Sequence, residues 1–348
     1  MAPAARYGRR RDVWWRWHPP AESPAWQLTA GSPAGGTASF PAGSSSGGES
    51  DADHKMEEIK ERKQKMEAVW EAAAAKYAEW VIDNHAAQGI YPEFAAFLEP
   101  LLRGKEGVRI LDVASASGEP AATLAAALPN AQVLSTDLAH AYLQLGKSRA
   151  ARLGLQNIAF ETADAEDLHR YPDASFDAVT CSLGLMFMPS DNAALREFAR
   201  VLKPGGVFVA TLWQAQEQVP FFELTLKFAC EYDPDMLKGQ AVATALRYAD
   251  PTGLIVEMQA AGLGDVQKRT LQVEFFMPAH AWWREMLEMP LPIKPSLEKA
   301  QEARPGEDVF EEGRQKMQRR LQEKGWLDEE ETVHIKGNGC WFITAKKA

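Results

Sequence analysis

Between residues 108 and 212 the chain alternates short β-rich runs with helical stretches, and few folds accommodate that rhythm. The runs are 108–113, 132–136, 158–162, 176–182 and 206–212, and helices are predicted at 120–127, 139–153 and 192–202. Each β–helix–β step is a crossover unit, and repeated crossovers predict a parallel sheet buried on both faces by helices. Pro120 suits a first helical turn, where its missing N–H is no loss, and Lys203-Pro204-Gly205-Gly206 ends a helix and turns into a strand. In open sheets of this kind ligands collect beyond the carboxyl ends of the strands. The chemistry is therefore sought there.

Composition narrows the possibilities. Of 348 residues 46% are hydrophobic, enough for a substantial core in one large α/β domain or two smaller ones, while a net charge of −10 gives no basic field for a phosphate backbone. Nucleic acid is not an expected partner. Cys181, Cys230 and Cys340 are too widely spaced for a zinc site or a disulfide framework, and no metal-ligand cluster or catalytic-triad spacing is visible. The longest nearly apolar run, residues 178–188, is about half of the roughly 20 residues a membrane-spanning helix needs, so a soluble protein without a membrane span is expected.

Residues 1–50 differ in composition, with five arginines against three acids and about two fifths Gly, Pro and Ser. An Arg- and Ser-rich, acid-poor segment fits an organelle transit peptide, which would place the protein in a plastid or mitochondrion; a disordered tail on a cytoplasmic protein fits equally. Trp14, Trp15, Trp17 and Trp26 are unusual for either, and an extended gene start or a nucleic-acid arm are further readings. The folded domain is expected over residues 51–348. Residues 56–83 read as a long amphipathic helix, with Ile59, Met66, Val69, Trp70, Ala73, Tyr77, Trp80 and Val81 at steps of three and four.

At the end of the first predicted strand stands Ile110-Leu111-Asp112-Val113-Ala114-Ser115-Ala116-Ser117-Gly118-Glu119-Pro120. The Gly-x-Gly-x-x-Gly fingerprint of nicotinamide-cofactor enzymes is missing, which argues against a dehydrogenase. The segment resembles the first motif of class I S-adenosylmethionine-dependent methyltransferases: an acid at the strand end, then alternate small residues closing on glycine. Asp137 after the second run, Ala163-Asp164-Ala165-Glu166-Asp167 after the third, 176–187 at the fourth and 195–213 at the fifth continue the resemblance in order. It is nearest the branch of quinone-biosynthesis and small-molecule methyltransferases, covers residues 69–213 and loosens afterwards.

The resemblance implies an α/β fold: a Rossmann-like, mostly parallel seven-stranded sheet with its last strand antiparallel, the final strands at 265–273 and 339–345. Segments 219–263 and 278–324 would be helical lid insertions within a lid and C-terminal region spanning 214–348. It implies S-adenosyl-L-methionine as cofactor, with Asp137 on the ribose hydroxyls, Asp164 and Ala165 at the adenine, Leu138 packing near it, and Asp112 toward the amino group of the methionine part. Ala114, Ala116 and Gly118 would form the turn, Tyr77 would close over the cofactor carboxylate, Ser182 would lie at the fourth strand end, and Met186 and Phe187 would line the acceptor pocket. The family has Gly where this chain has Ala114 and Ala116, so a positive φ there would strain the alanines.

Each residue also has a plain structural reading. Asp112 can cap the turn, Tyr77 can anchor the helix stripe, Met186 and Phe187 can simply pack, Cys181 can be a buried small hydrophobe, and Ser190-Asp191 can cap a helix. Methyl transfer needs a general base only when the nucleophile must lose a proton of high pKa, and His85, His140 and His280 are the candidates nearest the site segments. The leading expectation is in-line transfer of a methyl group to a small molecule; the alternatives are a weak or inactive cofactor-binding module and a protein or RNA methyltransferase.

Overall fold

The computed structural model describes residues 48–79, 89–190, 192–236 and 244–348. The chain divides into units Met1–Gly48 and Glu49–Ala348, and only the second is described below. Most of the N-terminal segment, the helix end from Trp80, His85 and Asp191 lie outside the described residues.

Seven strands form one sheet: β1 (Arg109–Val113), β2 (Gln132–Asp137), β3 (Ile158–Thr162), β4 (Phe176–Ser182), β5 (Leu202–Trp213), β6 (Leu263–Pro278) and β7 (Thr332–Lys347). Their order is β3-β2-β1-β4-β5-β7-β6. The first five pair in parallel, whereas β7 runs antiparallel to both β5 and β6. Side chains alternate between two apolar layers, as a two-residue period requires. Ile110, Ala178, Val207 and Val209 face one core with Phe94, Leu124 and Phe228, while Leu111, Val179, Phe208 and Ala210 face the other with Leu195, Phe198 and Met258.

The connecting helices are α1 (Gly48–Ala78), α2 (Tyr91–Leu102), α3 (Ala121–Ala127), α4 (His140–Arg152), α5 (Ala193–Val201), α6 (Pro220–Tyr232), α7 (Thr252–Ala260), α8 (Ala279–Glu288), α9 (Ile293–Ala303) and α10 (Val309–Glu323). Helix α1 starts eight residues before the periodic stretch. Within the predicted stretch its exposed side carries i,i+3 and i,i+4 ion pairs, Glu57 with Lys60 at 3.4 Å and Glu58 with Arg62 at 2.8 Å. Helix α10 shows the local logic of its kind. Asp308 accepts the Glu311 amide at 3.0 Å, and Val309, Gly313, Met317 and Leu321 recur every four residues on its buried face.

One expectation within the lid region needs correction. Helix α7, placed by sequence within a lid insertion, buries Leu254 and Met258 in the second core and so covers the sheet. The expected Ser190-Asp191 cap involves Asp191, which lies outside the described residues; the residue before α5 is Asn192, left-handed at φ 60°, and the Ser190 amide donates to Glu166 Oε1 at 2.6 Å. Strands β6 and β7 also run further than expected. Trp213, the last residue of β5, stands opposite Cys340, so residues 332–339 of β7 continue beyond β5 with only β6 alongside, an overhang of about 26 Å. Helices α8, α9 and α10 lie between the ends of that overhang, and their apolar faces share the first core with Phe221 and Phe228 of α6.

Candidate active site at the carboxyl edge

The turn after β1 is built by three residues of positive φ: Ala114 at 50°, Ala116 at 47° and Gly118 at 90°. Both alanines therefore adopt the conformation for which glycine is ordinarily used. A Cβ on Gly118 would come within 3.0 Å of Phe160 Cε1, and one on Gly184 would come within 2.5 Å of the Ala114 methyl, so those two glycines leave room for the turn. The turn is pinned to β2 by the Ser115 amide on the Thr136 carbonyl at 3.0 Å and by Ser115 Oγ against Ser135 Oγ at 2.6 Å.

Asp112 is fully buried, receiving the Thr180 hydroxyl at 2.6 Å on Oδ1 and the Ala121 amide at 3.1 Å on Oδ2. It thus braces β1 against β4 and caps α3. Burial first, opposed by those hydrogen bonds, pushes its pKa up to about 8. At the end of β2, Asp137 accepts the Ala116 amide at 2.8 Å on Oδ2 and the Ala139 amide at 2.9 Å on Oδ1, and burial raises it to about 6. The Leu138 amide also stabilises this carboxylate, and since a carboxylate has about four lone-pair positions Asp137 keeps room for a further donor such as a ribose hydroxyl.

Beyond β3, Asp164 accepts the Glu166 amide at 2.9 Å on Oδ1 and pairs with Lys63 of α1 at 2.6 Å through Oδ2. Leu138 and Ala165 are half-buried beside these carboxylates in the chain. Tyr77 packs edge-on against Trp70 at 5.6 Å and Tyr142 at 5.9 Å, and burial, followed by the charge of Asp137, pushes its hydroxyl up to about 12. Beyond β4, Ser182 bonds Thr211 at 3.1 Å, Met186 is buried, and half-buried Phe187 meets Trp70 at 5.4 Å. Cys181 is fully buried, its thiol pushed up to about 12, as expected of a packing residue. His140 is exposed and paired with Gln144 at 2.9 Å, and His280 is exposed at the start of α8. Among the described residues no group of three or more His, Cys, Asp or Glu could hold a metal ion.

Several polar groups at this edge carried no sequence signal. Ser117 Oγ, inside the turn, and Tyr142 Oη, on α4, are buried without a hydrogen-bond partner among the described residues. Tyr91, at the start of α2, is raised well above its ordinary value by burial, then by Tyr77 and Glu119. Such orphaned buried groups fit a site that receives a polar ligand. The set of groups suits an adenosyl sulfonium: a carboxylate with acceptor capacity left for the ribose, a second carboxylate for the adenine amino group, and a small-residue turn that a methionine part can approach closely.

A methyltransferase-domain family profile matches residues 110–206. An uncharacterised protein of Mycobacterium tuberculosis is 37% identical over 206 residues, 56% of this chain and 72% of that protein. The ubiquinone/menaquinone biosynthesis C-methyltransferase UbiE of Ectopseudomonas oleovorans is 34% identical over 148 residues, 42% of this chain and 85% of that protein. Among solved structures, the YcgJ protein of Bacillus subtilis superimposes with a TM-score of 0.47 and 19% identity, over 74% of this chain and 98% of that one.

Proposed function

This chain belongs to the class I S-adenosylmethionine-dependent methyltransferases, and from that premise we propose that it methylates a small-molecule acceptor, with Asp137 and Asp164 fixing the cofactor and Met186 and Phe187 lining the acceptor side. The observation that carries the reading is the pair of strand-end carboxylates, Asp137 and Asp164, that follow one another outward from the Ala114–Gly118 turn on its β2–β3 side. The cofactor supplies an electrophilic methyl group on a good leaving sulfide. The protein's task is then alignment and exclusion of water.

Asp137 holds the ribose through its open lone pairs while its amide partners keep the carboxylate in place. Asp112 keeps the turn fixed between β1 and β4 from beneath. The buried Ser117 hydroxyl is available to the carboxylate of the methionine part, and Tyr77 closes the aromatic wall. An acceptor in this region meets the half-buried Phe187 ring, backed by Met186 in the core, and such apolar surroundings favour an already nucleophilic atom over one needing a base. The acidic balance of the chain, −10 overall, favours a small acceptor over RNA.

The second reading, a weakened cofactor-binding module, draws on Ala114 and Ala116 in place of glycine. Against it, both alanines hold glycine-like φ values, so the shape of the turn is kept. Calorimetric titration with S-adenosylmethionine and its demethylated product separates the two. Micromolar binding of both is expected, and no detectable binding would sink the enzyme.

A further inference from the structure

Helix α1 lies along the carboxyl edge of the sheet and touches it in the order of the strands. Lys63 reaches the segment after β3, where its ammonium lies 2.6 Å from Asp164 and 2.7 Å from Glu166. Two turns on, both carboxylate oxygens of Glu71 accept the Ala141 amide at 3.1 Å, at the start of the helix that follows β2. One turn further, Ala74 is buried among Ala139, Tyr142 and the Ala116 methyl, and Tyr77 meets Tyr142. From Lys63 to Tyr77 the helix runs about 21 Å, enough to pass the roughly 14 Å between β3 and β4.

The contact at Lys63 is more than a surface pair. The Glu166 side chain is only 2% exposed, those of Lys63 and Asp164 are 24% and 29% exposed, and Glu166 Oε1 is engaged by the Ser190 amide, so both carboxylates are held by backbone while the lysine comes from a separate element. Burial works to lower the ammonium pKa, but hydrogen bonds to Asp164 and Glu166 outweigh it and the net shift is upward. The apolar anchors of the helix lie toward its other end, where Trp70 meets Phe187, Tyr77 meets Tyr142, and Ala73, Ala74 and Ala78 are buried. Before Trp70 no described side chain of the helix is fully buried, so at the β3 end the polar contacts of Lys63 carry a large share of its attachment.

We propose that Lys63 is a positioning residue of the cofactor site: by bridging Asp164 and Glu166 it clasps α1 across the carboxyl edge, so that the cofactor enters and leaves only when this clasp opens. The inference rests on the cofactor-binding reading above. A cofactor laid from β3 to β1 lies beneath α1, and Asp164 keeps lone pairs for an adenine amino group while still holding the lysine. Glu71 and the Ala74 contact form the far end of the same closure.

The test is stopped-flow binding of S-adenosylhomocysteine to the full chain as wild type, Lys63→Met, Lys63→Arg and Glu166→Gln. Lys63→Met is expected to raise both association and dissociation rates by about tenfold, with a smaller change in Kd, because an opening step common to both directions is released. Lys63→Arg restores slow exchange. Raising salt from about 0.05 M to about 0.5 M speeds the wild type and leaves Lys63→Met unmoved. Glu166→Gln, which keeps the Asp164 partner, falls between and serves if Lys63→Met does not fold. Rates within about twofold of wild type, or faster dissociation with unchanged association, overturn the clasp while leaving the cofactor reading intact. Absence of binding to wild type overturns both.

Discussion

Ala114 and Gly184 face each other across the ends of β1 and β4, and exchanging their side chains tests how this chain tolerates alanine in its cofactor turn. Gly184→Ala alone sets a new Cβ 2.5 Å from the Ala114 methyl and 3.1 Å from Cys181 Sγ, where carbon atoms prefer about 3.5–4.0 Å. Overpacking of that kind costs about 1–3 kcal/mol. Gly184 sits at φ −104°, which alanine adopts freely, so reduced freedom of the unfolded chain returns about 0.4–1 kcal/mol. The single variant should therefore lose about 1–2 kcal/mol. Ala114→Gly removes the opposing methyl and the strain of φ 50°, worth about 1–2 kcal/mol, against about 0.4–1 kcal/mol of added unfolded-state freedom. In that background Gly184→Ala should be neutral or slightly stabilising, with only the Cys181 contact left to adjust. Urea unfolding of the four proteins gives a coupling energy, expected at about 1–3 kcal/mol in favour of the double variant. Additive effects within about 0.5 kcal/mol would refute the steric account.

Asp137→Ala should weaken S-adenosylhomocysteine binding about 10-fold or more, since at least one charge-assisted hydrogen bond to the ribose at about 1.5–3 kcal/mol is at stake; unchanged affinity in a folded variant would remove the ribose assignment. Asp112 and Asp137 are raised from 3.8 to about 8 and about 6, so the folded chain holds protons that the unfolded chain releases. Their contribution is fully present below the unfolded pKa of about 4 and is lost as pH rises through about 6 and about 8, so the ligand-free thermal midpoint should fall across that window. Asp112→Asn should flatten the fall, and an unaltered slope would refute the assignment. Arg200 binds Glu197, Asp173 and the carbonyls of Leu168 and Tyr171, and Arg200→Lys, which lacks the planar fork, should destabilise the protein by about 1–3 kcal/mol in urea unfolding. No loss would mean that these bonds are replaced by solvent.

The five parallel strands were legible because each carries an apolar run next to turn residues, and 158–162 and 176–182 match to the residue, while β5 starts four residues before the expected 206 because Lys203-Pro204-Gly205-Gly206 is part of the strand. Carboxylates at strand ends were legible for the same reason: the strand locates them and chemistry says why an acid stands there. The start of α1 was not, because the apolar positions that recur at steps of three and four begin only at Ile59 and give no period to read over residues 48–55. The extra length of β6 and β7 was hidden by polar residues in the outer hairpin, where Val273 and Phe275 flank a register shift that breaks alternation. Lys63 sits in a run of like residues, Lys60, Arg62, Lys63 and Lys65, and only folding singles it out by bringing it to Asp164, 101 positions away. Ser117 and Tyr142 gained meaning only when burial left them without partners.

The overhanging hairpin has a consequence for how such a protein can change. Residues 279–331 leave the sheet at Pro278 and return at Thr332, which are paired residues of adjacent strands, and the Ala279 amide closes the base on the Glu331 carbonyl at 2.7 Å. To the sheet, this whole helical segment is a loop whose two ends are already joined. Loop-closure entropy rises only slowly with length, so a segment of different size or sequence can be grafted at the same two positions provided it again covers Phe228 of α6 and Phe275 and Val333 of the hairpin, which the present helices bury. Evolution and protein engineering alike can then redraw this part of the molecule while the β1, β2 and β3 ends, which carry the cofactor residues, inherit their geometry unchanged.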